Sequence, residues 1–280
     1  MSTRPPARPG VKASWAVGNT IVILAALIPV LWLASLSFKD PSTIADGSFL
    51  PHRWTLANYR GIFQTSLFTR ALVNSVGVAL LTTVCAVVVA AMAAYAVSRL
   101  DFRGKSLVLP MTLALAVFPP VAVVGPLFDV WRTVGLYDTW PGLVIPYLSF
   151  ALPLAMWTLT AFFRDVPWEL ALVAQGDGAT RSQALRRVVL PLARPGVLTA
   201  AILVFFVAWN DLIFAISLTS SDRSRTVPAA LVFFPGDARI SQPVGSIAAA
   251  AVVVTVPVVL AVLVFQRRLV AALTAGVVRK

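Results

Sequence analysis

Six stretches of this 280-residue chain, at roughly 15–38, 71–97, 106–128, 141–163, 195–219 and 244–266, are apolar and long enough to cross a lipid bilayer. A helix needs about 20 mostly apolar residues to span a hydrocarbon core of about 30 Å. In lipid, an open-edged strand leaves backbone groups without partners, so each stretch is expected as a helix. A hydrophobic fraction of 59% against 12% charged residues excludes an ordinary soluble domain. The sequence therefore predicts an all-α integral membrane protein with six transmembrane helices across 15–266. An N-terminal tail (1–14) and a C-terminal tail (267–280) flank them. The first stretch follows Arg4, Arg8 and Lys12, as a signal peptide would. It is longer than an ordinary signal core and five more spans follow, so a retained anchor is expected. The Pro-rich run at 4–10 is expected to be unordered.

Charge orients the spans. With the N-terminus inside, the inner segments (1–14, 98–105, 164–194 and 267–280) hold 15 of the 23 Lys and Arg residues, and the outer segments hold 8. Net charge is then +11 inside, +2 outside and −1 within the membrane. This is the positive-inside pattern, and it places both termini in the cytoplasm of a multi-pass membrane protein. The basic balance reports topology and contact with anionic membrane lipid; a nucleic-acid partner is not expected.

Several chemistries lack their residues. Cys85 is the single cysteine and His52 the single histidine, so no disulfide, thiolate metal site or His-based triad is available. No phosphate-binding GxxxxGK[ST] loop occurs, and no carboxylate cluster that would hold Mg²⁺. The chain is expected to bind no metal and no cofactor of its own. Asp211 is the one acid clearly inside a span. Such a group is costly in lipid, which points to a pathway or a partner; bracing of a neighbouring helix explains it equally well. Pro119-Pro120 should break or kink the third span. Trp131, Tyr137 and Trp140 cluster where an interfacial aromatic belt is expected.

The polar segment 164–194 interrupts this apolar chain with five Arg and three acids. Pro167 suits a first helical turn, and Asp165 and Glu169 favour the helix dipole there. Gly176-Asp177-Gly178 supplies a turn with two residues free to take positive φ. Thr180 followed by Gln183 forms a T-x-x-Q capping box for a second helix that ends near Pro191, with Pro195 opening the fifth span. Two short helices at the membrane surface are predicted.

These residues carry a family resemblance. Permeases of binding-protein-dependent ABC importers share a motif of EAA, three residues, Gly, nine residues, Ile, any residue, Leu-Pro. Here Gly178 is followed by nine residues and then Val188-Val189-Leu190-Pro191. Pro167-x-Glu169-Leu170 and Asp177-Gly178-Ala179 resemble the sugar-uptake branch. The three EAA positions are Leu172, Val173 and Ala174, so the motif's Glu has become Leu172. Thr55–Tyr59, Asn74-Ser75, Ala208–Asp211 and the run Gln266–Gly276 resemble the maltose-type second permease. The stretches 138–147, 150–155 and 245–249 are most similar to actinobacterial trehalose-importer permeases.

The resemblance implies a type I ABC importer permease fold and a mechanism. A second permease subunit completes a heterodimer, two ATPase subunits hold ATP and Mg²⁺, and an extracellular or periplasmic sugar-binding protein or lipoprotein delivers sugar. The residues Glu169, Leu172, Ala174, Asp177, Gly178, Ala179, Leu190 and Pro191 would couple the permease to an ATPase. The C-terminal tail would reach between the ATPases. Asn74, Tyr147, Asn210 and Asp211 are candidates to line the sugar path, since sugars are held by hydroxyl-directed hydrogen bonds and aromatic faces. The expected cargo is a disaccharide such as trehalose, with maltose, an oligosaccharide or glycerol phosphate as alternatives. A self-sufficient secondary transporter is the rival from another class; it would show internal repeats or more intramembrane charge, and neither is found.

Overall fold

A computed structural model describes residues 9–234 and 243–275. Among these, the helices are α1 (Pro9–Phe38), α2 (Ala57–Gln64), α3 (Ser66–Arg99), α4 (Lys105–Val117), α5 (Pro120–Val134), α6 (Trp140–Asp165) and α7 (Trp168–Gly176). They continue with α8 (Arg181–Leu192), α9 (Arg194–Trp209), α10 (Ile213–Leu218), α11 (Val227–Phe233) and α12 (Pro243–Ala275). No strand occurs among the described residues, only an isolated bridge between Lys39 and Trp54. Most of the Pro-rich 4–10 run and the last five residues of the C-terminal tail lie outside the described residues; the backbone of 267–275 continues α12. The chain divides into two compact units: Met1–Thr65 with Phe234–Thr255, and Ser66–Phe233 with Val256–Lys280.

The larger unit is built on α3, α6 and α9. Asn74 near the start of α3 meets Trp140 at the start of α6, while Arg99 at the end of α3 meets Phe163 and Val166 at the end of α6. The two long helices therefore run parallel, and the chain between them must travel back. It does so in α4 and α5, which bend by 82° at Phe118-Pro119. Both break residues are extended (Phe118 ψ 128°, Pro119 ψ 122°), because each precedes a proline whose ring disfavours the helical state. Ala86, Ala90 and Ala94 of α3, Ala151 and Ala155 of α6 and Ala200 of α9 are all fully buried. Small side chains let helix backbones approach where lipid supplies no hydrophobic drive between them.

The fifth apolar stretch, expected as one helix over 195–219, is interrupted. Helix α9 ends at Trp209, residues 210–212 leave the helix, and α10 begins at Ile213. At its other end, α8 meets α9 at 83°. The helix α1 segment from Val17, α3 and α6 are individually long and apolar enough to cross a membrane; the bent pairs α4/α5 and α8/α9 qualify only when each pair is taken together.

In the smaller unit, the loop after α1 folds around a fully buried lysine. Lys39 Nζ donates to Asp46 Oδ1 and to the Ser48 carbonyl, both at 2.6 Å. The hydrogen bond from Lys39, joined by that from Ser48, pulls the Asp46 carboxyl down to about 2. Asn58 Nδ2 donates to the Ser37 and Lys39 carbonyls and fixes α2 against the end of α1.

Candidate functional site

The 164–194 element starts where α6 stops. The Phe163 carbonyl would take its helical bond from residue 167, but Pro167 has no N–H. Arg99 fills that role: its Nη2 donates to the carbonyls of Phe163 and Val166, and its guanidinium lies 5.2 Å from the Trp168 ring centroid. Glu169 adds an electrostatic attraction. Pro167 caps α7 from outside, and Glu169 sits in its first turn, favourable to the dipole. Asp165, expected beside that start, is instead the last residue of α6.

Helix α7 buries Ala171 and turns three large apolar side chains outward: Leu170, Leu172 and Val173 are 47%, 51% and 62% exposed. Ala174 is half-buried, and its carbonyl accepts the Ala179 N–H at 2.9 Å to close the turn. Of the two glycines, only Gly178 takes positive φ (+92°); Gly176 ends the helix and Asp177 caps it. The capping box is formed at both contacts, with Gln183 N donating to Thr180 Oγ1 at 3.2 Å and Thr180 N to Gln183 Oε1 at 2.8 Å.

Helix α8 buries Ala184, Leu185 and Val189 and exposes Arg181, Arg186 and Arg187. Its middle, Leu185–Val189, is a π turn in which Leu190 N donates to the Leu185 carbonyl. Pro191 has no N–H to offer Arg187, so an α register would lose a bond there; the wider turn shifts the pairing. The helix thus passes through half-buried Leu190 and Pro191 to Leu192, beyond the end expected from the sequence.

The interrupted fifth stretch brings together two of the path candidates. Asp211 Oδ2 accepts the Ala215 N–H at 3.1 Å and so holds the start of α10. Fully buried Tyr147 of α6 lies near this carboxylate with its hydroxyl in no hydrogen bond of normal geometry among the described residues, and its ring packs with Phe150 and Phe214. Asn210 is exposed and returns its Nδ2 to the Phe206 carbonyl of its own helix at 2.8 Å. Next to it the buried Trp209 indole N–H has no hydrogen-bond partner among the described residues.

Asn74 stands apart, in a polar hub at the start of α3 and α6. Its Nδ2 donates to the Asp222 and Arg225 carbonyls at 3.0 and 2.9 Å, and its Oδ1 accepts the Trp140 indole N–H at 3.0 Å. The Trp140 indole is therefore engaged inside the protein, because a buried N–H needs a partner. Its ring lies over Gly77, where an added Cβ would come within 2.2 Å. Asp138, in a left-handed conformation (φ +57°), accepts from the Ser220 and Ser221 N–H groups and from the Ser221 and Ser224 hydroxyls. Burial pushes its carboxyl up, but these hydrogen bonds outweigh that and hold it below its ordinary value of 3.8. Sequence reasoning missed both Arg99 and Asp138. The one local signal for Asp138 was the helix start beside it, Thr139-Trp140-Pro141, where Thr139 caps α6 by accepting the Gly142 N–H.

Among the described residues no cluster of His, Cys, Asp and Glu could hold a metal ion. Residues 16–275 match the family described as "Binding-protein-dependent transport system inner membrane component". The chain is 54% identical over 265 residues to the trehalose transport system permease protein SugB of Mycobacterium tuberculosis, covering 95% of this chain and 97% of that one. It is 36% identical to the trehalose/maltose transport system permease protein MalG of Thermococcus litoralis, over 94% and 95%. It is 37% identical to the sulfoquinovosyl glycerol transport system permease protein SmoH of Agrobacterium fabrum, over 93% and 91%. A chain of a bacterial ABC transporter that imports the acidic polysaccharide alginate superposes with a TM-score of 0.80 over 95% of this chain and 99% of that one; at 21% identity this is a likeness of fold.

Proposed function

The chain belongs to the family of binding-protein-dependent transport system inner membrane components, and on that premise we propose that it forms half of the path by which an ABC importer takes up trehalose or a closely related disaccharide. It is the permease subunit of a sugar importer, a multi-pass membrane protein. The observation that carries the choice of sugar is the 54% identity to a trehalose permease through nearly the whole length of both chains.

The partners follow from the build. This chain has no nucleotide loop, so ATP and Mg²⁺ belong to separate ATPase subunits, two of them beneath this permease and a second one. The charge asymmetry of +11 against +2 sets the 164–194 element and both termini in the cytoplasm. A binding protein or lipoprotein presents the sugar on the other side. Helix α7 then docks on an ATPase through Leu170, Leu172 and Val173, with Glu169, Asp177 and the arginines of α8 around them. ATP-driven closure favours one arrangement of the permeases over another through this contact, which is all that coupling requires.

The path itself runs past residues 210–212. Non-helical backbone at membrane depth is tolerated only where protein buries it or a water-filled cavity bathes it. Exposed Asn210 and half-buried Asp211, backed by Tyr147, fit the second case. Asn74 supports the path by holding the helices, since its amide is engaged within the chain at both ends.

Reconstituting this chain with its second permease, ATPase and loaded binding protein should give trehalose uptake that needs ATP and every partner. Uptake by the chain alone, driven by an ion gradient, would sink the importer reading; a strong preference for maltose or glycerol phosphate would replace the sugar. Leu172→Glu restores the family's acid on a face that docks by apolar contact. It should lower sugar-stimulated ATPase by about tenfold, the equivalent of about 1.4 kcal/mol of docking energy. A large gain would show that docking here is impaired and not rebuilt.

A further inference from the structure

We propose that Arg99 is the positioning residue that makes the ATPase-docking element move as one body with both α3 and α6. The inference rests on the importer reading above and concerns a side chain outside the 164–194 element altogether.

A break at Pro167 should act as a hinge. The proline leaves the Phe163 carbonyl without its helical donor, and the extended Val166 (ψ 128°) leaves its own carbonyl outside either helix. A docking helix joined only through such a break could swing when pushed and transmit little. Arg99, from the last turn of α3, bridges it. One guanidinium nitrogen binds the carbonyls of Phe163, in the last turn of α6, and of Val166, in the break itself, and the group lies over the ring of Trp168, the first residue of α7. Phe163 is fully buried and Val166 7% exposed, so little water competes for these carbonyls. The clamp thus joins three elements at one point: the end of α3, the end of α6 and the start of α7. A guanidinium is suited to this, being planar, always charged and able to donate in a fork while stacking on a ring.

The test uses the assembled importer in proteoliposomes and reads sugar moved per ATP hydrolysed. Arg99→Met keeps the stem and removes every donor; Arg99→Lys keeps a charged nitrogen that can donate to carbonyls and loses the planar group over Trp168. Arg99→Met should assemble and retain binding-protein-stimulated ATPase within about twofold while sugar per ATP falls about tenfold, with Arg99→Lys between it and the unaltered complex. If sugar per ATP is unchanged in whichever variant assembles, or if ATPase and uptake fall by the same factor, the inference is overturned. Should Arg99→Met fail to assemble, Arg99→Lys decides. Failure of the unaltered complex to move sugar on ATP would instead count against the importer reading.

Discussion

The two ends of the α3–α6–α9 core are built on opposite principles. At the Asp138 end, polar side chains are drawn inward and paired: Asn74 makes three hydrogen bonds and the Asp138 carboxylate four. At the 164–194 end, apolar side chains are turned outward and the arginines of α8 are left exposed. A surface that satisfies itself has no reason to bind anything else at that spot, whereas exposed Leu and Val beside basic residues gain free energy only when covered. The first end holds helices in register; the second is the face that the proposed ATPase contact would cover.

That contrast can be broken by substitution. Asn74→Leu strands two carbonyls and the Trp140 indole, and should cost about 3 kcal/mol of stability, read as a fall in the Tm of the purified complex. An effect no larger than that of an ordinary surface change would mean the hub is incidental. Asp138→Ala comes next, at about 2 kcal/mol, with Asp138→Asn milder because it keeps part of the acceptor geometry. The same carboxylate sharpens the comparison through pH. Its folded value lies below 3.8, so its contribution is complete above about pH 4 and is lost as the pH falls through the folded value. Acid should therefore loosen the hub, and Asp138→Asn should flatten that dependence. Thr180→Ala, at the 164–194 end, should cost about 1 kcal/mol and only locally. Hydrogen exchange at the Gln183 amide would rise while the Tm of the complex barely moves.

What the sequence revealed depended on the range of the interaction. The Thr180/Gln183 box, the Gly178 turn and the break at Pro119-Pro120 were legible because each is decided by residues within three or four positions. Asp138 and Asn74 were not, since their partners lie up to 151 residues away and an acid in a loop carries no mark of what it will bind. Arg99 hid for a related reason: an arginine after a span reads as topology, and its partners are backbone carbonyls that have no sequence signature. The interruption at 210–212 was missed because the apolar runs 200–209 and 212–216 flank it closely enough to mask it in any window of span length. The residues proposed to couple to an ATPase were named by resemblance, but the outward turn of Leu172 and its two apolar neighbours came only with the structure.

The π turn in α8 has a consequence for how such an element can be tuned. One residue more or less in a helix rotates everything beyond it by about 100° and shifts it by about 1.5 Å. Leu185–Val189 carries the surplus residue between the capped start of α8 at Thr180 and the half-buried Leu190-Pro191. It therefore works as a phase adjuster: trimming it re-aims Arg181 and the Gly178 turn without altering a single side chain at either end. A permease built this way can be refitted to a different partner by changing chain length at one helical turn and leaving the chemistry of its exposed side chains alone.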